Sequence, residues 1–113
     1  MYRLSDFGSF HVGGRFVEVR DQPKRTVWFT ETASHEQDPN GEFLIEQVYV
    51  QYFIPENLKF QTPLVLLHGG GLTGACWETT PDGRPGWLHN FLSQGFAVYI
   101  LDNVERGRSG FCA

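Results

Sequence analysis

The residues Leu66-Leu67-His68-Gly69-Gly70-Gly71-Leu72-Thr73 concentrate what this chain offers in chemistry. An apolar run, Leu64 to Leu67, ends abruptly in a histidine and three glycines. That pattern reads as a buried strand delivering a loop whose backbone N–H groups are left free to point at something. A glycine loop of this type, placed after a strand, supplies part of the oxyanion hole in one class of acyl-transfer enzymes. Such a hole stabilises the negative oxygen formed when an ester or amide carbonyl is attacked, and loss of one donor costs about 10²–10³ in rate. Gly70 and Gly71 are the candidate donors; the competing reading is a tight strand-to-helix turn that needs glycine only for positive φ. Leu72 and Trp77 are candidates for the substrate pocket, and Trp87 shares with Trp77 the alternative of plain packing.

No nucleophile accompanies the loop. Gly107-Arg108-Ser109-Gly110-Phe111 approaches the elbow pattern G-x-S-x-G, but its fifth position is Phe111 and no helical pattern follows, so Ser109 is rejected as a nucleophile. His68, with Gly69, is given a structural part: an imidazole bonded to nearby backbone and holding the loop. Asp102 and Arg106 are expected to form an ion-paired turn rather than an acid and a base. His11, His35 and His89 have no acidic partner at an informative spacing and read as surface or packing residues. Cys76 and Cys112 show no metal-ligand spacing. They read as unpaired thiols of an intracellular protein, with pairing of Cys112 to another chain as the alternative. No metal and no organic cofactor is implied.

The elements that must position the loop follow from the patterning. Phe10 to Val19 reads as two short strands around a Gly13-Gly14 hairpin turn. Arg25 to Thr32 is a further strand candidate, and the polar stretch Ala33 to Gly41 is a loop. Phe43 to Ile54 alternates Val48, Val50 and Tyr52 against Gln47, Tyr49 and Gln51, as a half-buried antiparallel strand does, and Pro55 ends it. Leu64 to Leu67 and Phe96 to Leu101 are continuously apolar, which predicts strands covered on both faces. Between them Trp87, Leu88, Phe91 and Leu92 fall on one helical stripe. Strand, glycine loop, helix and strand in that order make one right-handed βαβ unit.

Bulk properties bound the rest. A chain of 113 residues has room for one small domain, and 41% hydrophobic with 19% charged residues is globular in character. Ten Phe, four Tyr and three Trp leave much apolar surface to hide. A net charge of −4 gives no basic footprint for nucleic acid. No apolar window is long enough for a membrane helix, and Met1 to Asp6 lacks the apolar core of a secretory signal, which favours the cytoplasm.

At this level of detail the chain resembles the N-terminal part of an α/β-hydrolase: antiparallel strands leading into a mostly parallel sheet with flanking helices. Residues 1–60 would be the antiparallel start, and 61–113 the βαβ unit with the oxyanion loop. The stretch Asp102-Asn103-Val104-Glu105-Arg106-Gly107-Arg108-Ser109-Gly110 is similar to the Asp…Arg-Gly-x-Ser turn after the family's fourth strand. The likeness is closer to bacterial esterases whose loop reads His-Gly-Cys-Cys-Leu-Thr-Gly followed by Trp-Glu-Thr-Thr-Pro-Asp-Gly-Arg. Leu72-Thr73-Gly74 and Trp77 to Arg84 keep that pattern, as does the opening Gly8 to Arg15. The paired cysteines are Gly70 and Gly71 here, so no function tied to a disulfide carries over. The resemblance implies a carboxylic-ester hydrolase acting on a small-molecule ester, with strand order 1-2-4-3 and the third strand as an open edge. It also implies that nucleophile, acid and base lie on a second polypeptide that completes the sheet, most simply from one cleaved precursor. The bacterial relatives are typically exported, against the cytoplasmic expectation. Lyase or C–C hydrolase chemistry on the same fold, or a non-catalytic binding module, are the rival readings.

Overall fold

The structure, a computed structural model, describes residues 1–111. Cys112, and with it the inter-chain pairing considered above, lies outside those residues. Among the described residues six strands occur: β1 (Leu4–Val19), β2 (Arg25–Trp28), β3 (Ser34–Gln37), β4 (Gly41–Pro55), β5 (Leu64–Leu66) and β6 (Val98–Asp102), with one α-helix, α1 (Trp87–Ser93), between β5 and β6. Four of the strands form a mixed sheet in the order β1-β4-β6-β5. The contacts β1–β4 and β4–β6 are antiparallel and β6–β5 is parallel. This is the predicted order with β5 at the edge.

The core lies on one face of the sheet. Leu66, Val98 and Ile100 point towards Leu88 and Leu92 of α1, and Phe53, Leu64, Trp77, Phe91 and Phe96 pack around them. Burial of large apolar side chains is worth about 1.5–3 kcal/mol each, so this cluster is the principal source of cohesion. The helix ends in a Schellman arrangement. Gly95 at φ 93° donates to Leu92 O (3.1 Å) and Phe96 N donates to Phe91 O (3.1 Å). The rings of Phe91 and Phe96 meet edge to face at 6.4 Å, the hydrophobic contact that accompanies such an ending.

Four expectations need correction. The Gly13-Gly14 pair is not a hairpin turn: β1 runs through it and pairs with β4 from Leu4↔Pro55 to Val19↔Gly41. The two glycines take φ 76° and 103°, and Glu46 opposite takes φ 62°, so the positive φ values coil the ribbon locally instead of reversing it. A long partner strand on both sides of the glycines overrides the local turn signal. The second strand stops at Trp28, where Phe29 N donates to Ala33 O (2.9 Å) and the chain turns. The stretch read as a loop contains β3, paired with β2 in a separate hairpin. Its residues are exposed on both faces, so no alternation advertises it.

The fourth correction concerns β5. Its pattern predicts cover on both faces, yet Val65 is 58% and Leu67 60% exposed, because among the described residues α1 covers one face alone. Beyond the four-stranded part, the outer halves of β1 and β4 continue as a two-stranded ribbon, since β6 pairs only with Tyr49 to Phe53 of β4. The β2–β3 hairpin hangs from that ribbon at a neck. There Gln22 N donates to Asn40 Oδ1 and Asn40 Nδ2 donates to Gln22 O, both at 2.9 Å.

This division of labour between core and hairpin is measurable. Leu92→Ala is expected to lower stability by about 2–5 kcal/mol through the cavity it leaves. Trp28→Ala, on the exposed hairpin, should stay within about 0.5 kcal/mol. Urea denaturation midpoints of the two variants check both.

Candidate functional site

The glycine loop leaves β5 at the carboxyl edge of the sheet, where β6 also ends. Gly69, Gly70 and Gly71 are exposed, Gly71 has φ 79°, and a Cβ at Gly70 or Gly71 would meet nothing within 4 Å. Leu72 N turns back to Gly69 O at 3.2 Å. The N–H groups of Gly70 and Gly71 have no partner among the described residues. Unpaired amides on a short, exposed turn are what an anion-binding loop presents.

His68 anchors the start of this loop. Its Nε2 accepts the Asn103 N–H at 2.9 Å, which leaves the proton on Nδ1, 2.8 Å from Gly69 O. With its lone pair so engaged, His68 has none to offer as a base. The far end is anchored by Thr73 and Gly74, which open a 3-10 turn, Gly74–Trp77. Thr73 Oγ1 accepts Ala75 N at 3.3 Å, and Gly74 N donates to Asp102 Oδ1 at 2.7 Å. Gly74 is buried, and a Cβ there would run into Ile100 and Asp102, so only glycine lets the loop approach the strand this closely.

Asp102 is 3% exposed. Its expected ion pair with Arg106 is replaced by one with Arg108: Arg108 N donates to Oδ2 at 2.9 Å and the guanidinium Nε lies 3.6 Å from it. Arg106 contributes backbone alone to this turn, its N–H going to Asn103 O and its carbonyl receiving Ser109 N, both at 2.9 Å. The 3-10 geometry of Gly107–Ser109 carries the next arginine, not Arg106, back to the carboxylate. Burial pushes the Asp102 pKa up, but the amides of Arg108 and Gly74 and the Arg108 charge outweigh it and hold the group below the usual carboxylate range.

Ser109, rejected above as a nucleophile, is 2% exposed, donates from Oγ to Asp102 O at 2.5 Å and accepts Tyr49 N at 2.8 Å. It ties the turn to β4 and β6. That role and the Gly74 approach escaped the sequence reading; the Asp…Gly-x-Ser spacing is the signal that carried the first.

Leu72 is exposed beside the loop, whereas Trp77 packs on the core cluster with its indole Nε1 buried and unpartnered among the described residues. Trp87 is largely exposed. The Thr80 to Arg84 part of the motif is a surface turn closed on itself: Thr80 Oγ1 accepts Arg84 N (3.0 Å), Gly83 N donates to Thr80 O (2.9 Å), and Arg84 pairs with Asp82 at 2.9 Å. Cys76 is a free, exposed thiol whose pKa is raised by partial burial of its sulfur. His89 meets the Tyr2 hydroxyl, and His11 Nε2 meets Arg108 O at 3.3 Å. Among the described residues no group of three or more His, Cys, Asp or Glu is placed to hold a metal ion, and no helix is long and apolar enough to cross a membrane.

The Asp102 cluster makes a signed prediction. Because its folded pKa lies below the unfolded value of about 3.9, the stabilisation it provides is complete above roughly pH 5 and is lost as pH falls through the unfolded and then the folded value. Asp102→Asn should cost about 1–3 kcal/mol at neutral pH. It should also flatten the acid-side decline of the denaturation midpoint; an unchanged acid dependence would assign that decline to other groups.

No family model matches the chain. A bacterial esterase solved at atomic resolution is similar over 96% of this chain, with 42% sequence identity and a TM-score of 0.76. A protein of Fungal sp. (strain ATCC 74256), named as a probable secreted lipase phiG, is 47% identical over 62 residues, 55% of this chain. The chain spans 31% of the esterase and 17% of the lipase. Sheet order and sequence likeness together give the described residues the fold of a portion of that bacterial esterase, an α/β-hydrolase-like mixed sheet.

Proposed function

We propose that this chain supplies the oxyanion loop and part of the substrate wall to a carboxylic-ester hydrolase. The observation that carries the reading is the pair of amides at Gly70 and Gly71, unpartnered among the described residues, on an exposed loop anchored at both ends. The esterase and lipase names of the two relatives support an ester substrate. In this reading a serine outside these residues attacks the ester carbonyl, its proton passing to a histidine oriented by a carboxylate. The developing oxyanion is received by the amides of Gly70 and Gly71 together with the amide of the residue after the nucleophile. Leu72 faces the acyl or alcohol group. His68, Asp102 and Arg108 do no proton transfer.

The triad residues and the remaining strands belong to polypeptide that pairs along the open edge of β5, either a second chain or further sequence of the same one. Export fits the secreted relative. A lyase on the same scaffold would also use the loop, but nothing in the geometry favours it.

The test replaces one donor. In the assembled enzyme, Gly70→Pro removes an N–H and should lower kcat for p-nitrophenyl acetate by about 10²–10³. Gly70→Ala keeps the N–H in open space and should retain most activity. Equal activity of all three proteins would overturn the oxyanion assignment. Denaturing intact-mass analysis of the natively purified enzyme, after labelling with a fluorophosphonate, shows which polypeptide carries the serine. Label on a separate chain supports the two-chain form, label on one continuous chain removes it, and no label with no ester turnover removes the hydrolase.

A further inference from the structure

The loop between Gly69 and Thr73 has little internal structure to hold it, a single Leu72 N to Gly69 O bond at 3.2 Å. Its shape is set by two consecutive residues at the end of β6. Asn103 N holds His68 at one end, and Asp102 Oδ1 holds Gly74 N at the other. The direction of the carboxylate therefore sets where the loop returns.

That direction is imposed on Oδ2. Arg108 reaches it through its N–H and its guanidinium, and the guanidinium is itself aimed by two further contacts. It lies 4.0 Å from the centroid of the Tyr49 ring, and its Nη2 donates to Gln51 Oε1 at 3.1 Å. Gly107, at φ 49°, permits the approach, since a Cβ there would press on Asp102 Oδ2. The turn does not need the guanidinium to stay in place, because Ser109 already ties it to β4 and β6. Without the guanidinium Asp102 still holds two backbone amides, those of Gly74 and of Arg108 itself, so the carboxylate does not depend on it alone for partners. What the guanidinium adds, 3.6 Å from Oδ2, is a fixed charge on one side of a buried carboxylate.

We infer that Arg108 is a positioning residue for the oxyanion loop: through Asp102 and Gly74 it fixes the direction of the Gly70 and Gly71 amides. The inference rests on the oxyanion reading above. Donors act on the transition state only when aimed at where the charge develops, and a misplacement of about 1 Å costs on the order of 10² in rate. Loss of Arg108 should therefore appear in kcat and leave KM largely alone, since the ground-state ester makes little demand on the amides.

The experiment measures kcat and KM for p-nitrophenyl acetate in the assembled enzyme, per site titrated with a fluorophosphonate, for Arg108→Met and Arg108→Lys. Titration confines the comparison to folded, competent sites. The expected result is a fall of about 10-fold or more in kcat for Arg108→Met with KM within about twofold, and recovery of most of that loss in Arg108→Lys, which keeps the charge near Asp102. A lower melting temperature with kcat per titrated site unchanged would show a merely structural arginine and overturn the inference. So would Arg108→Lys no better than Arg108→Met. A low kcat in Gly70→Pro beside a normal one in Arg108→Met defeats the positioning role alone, whereas normal kcat in Gly70→Pro defeats the oxyanion reading beneath it.

Discussion

The Asp102 carboxylate, buried at the end of β6 with both oxygens engaged, is the constraint on which the functional end of this molecule depends. One oxygen takes the amide of Gly74 and the other the amide and guanidinium of Arg108. Burying a charge is costly unless it is paired and hydrogen-bonded, and here the partners come from segments far apart in sequence. The carboxylate therefore joins the glycine loop to the turn after β6. The hydrophobic cluster beneath α1 holds the sheet together, but it does not decide where the loop lies.

Glycine serves two opposite ends in this arrangement. At Gly74 and Gly107 the missing side chain is a matter of crowding, because Ile100 and Asp102 already occupy the space. At Gly70 and Gly71 the surroundings are open, and a side chain would meet nothing. The crowded glycines bring backbone to the carboxylate, and the open ones present backbone to the outside. The contrast separates residues that build the site from residues that would use it.

How much of this was legible in the sequence depended on whether the signal was local. The glycine loop after an apolar run, the α1 stripe and the strand order of the βαβ unit were readable, since each is written in neighbouring residues or carried by a resemblance with specific motifs. The Gly13-Gly14 pair misled because its turn signal is local while the pairing that overrides it involves residues of β4 more than thirty positions on. β3 was invisible because its residues have neither apolar alternation nor cover. Arg106 and Arg108 could not be told apart as partners of Asp102: both lie in the same short turn, and the backbone geometry at Gly107 selects between them. The apolar run at β5 suggested two covered faces, which requires groups that the described residues do not include.

The long register of β1 with β4 also bears on how the chain finds its fold. The strands begin to pair at Val19↔Gly41, 22 positions apart, and finish near Leu4↔Pro55, 51 apart. Closing the outer pair first would confine a large loop, whereas each successive pair outward from the neck encloses only two more residues. The β2–β3 hairpin, tied by Gln22 and Asn40, shortens the first closure further. The order of closure that costs least entropy is therefore that of a zipper, starting at the neck and running towards Tyr49 to Phe53, where β4 meets β6. The part of the molecule with the least core thus turns a distant strand pairing into a series of near ones.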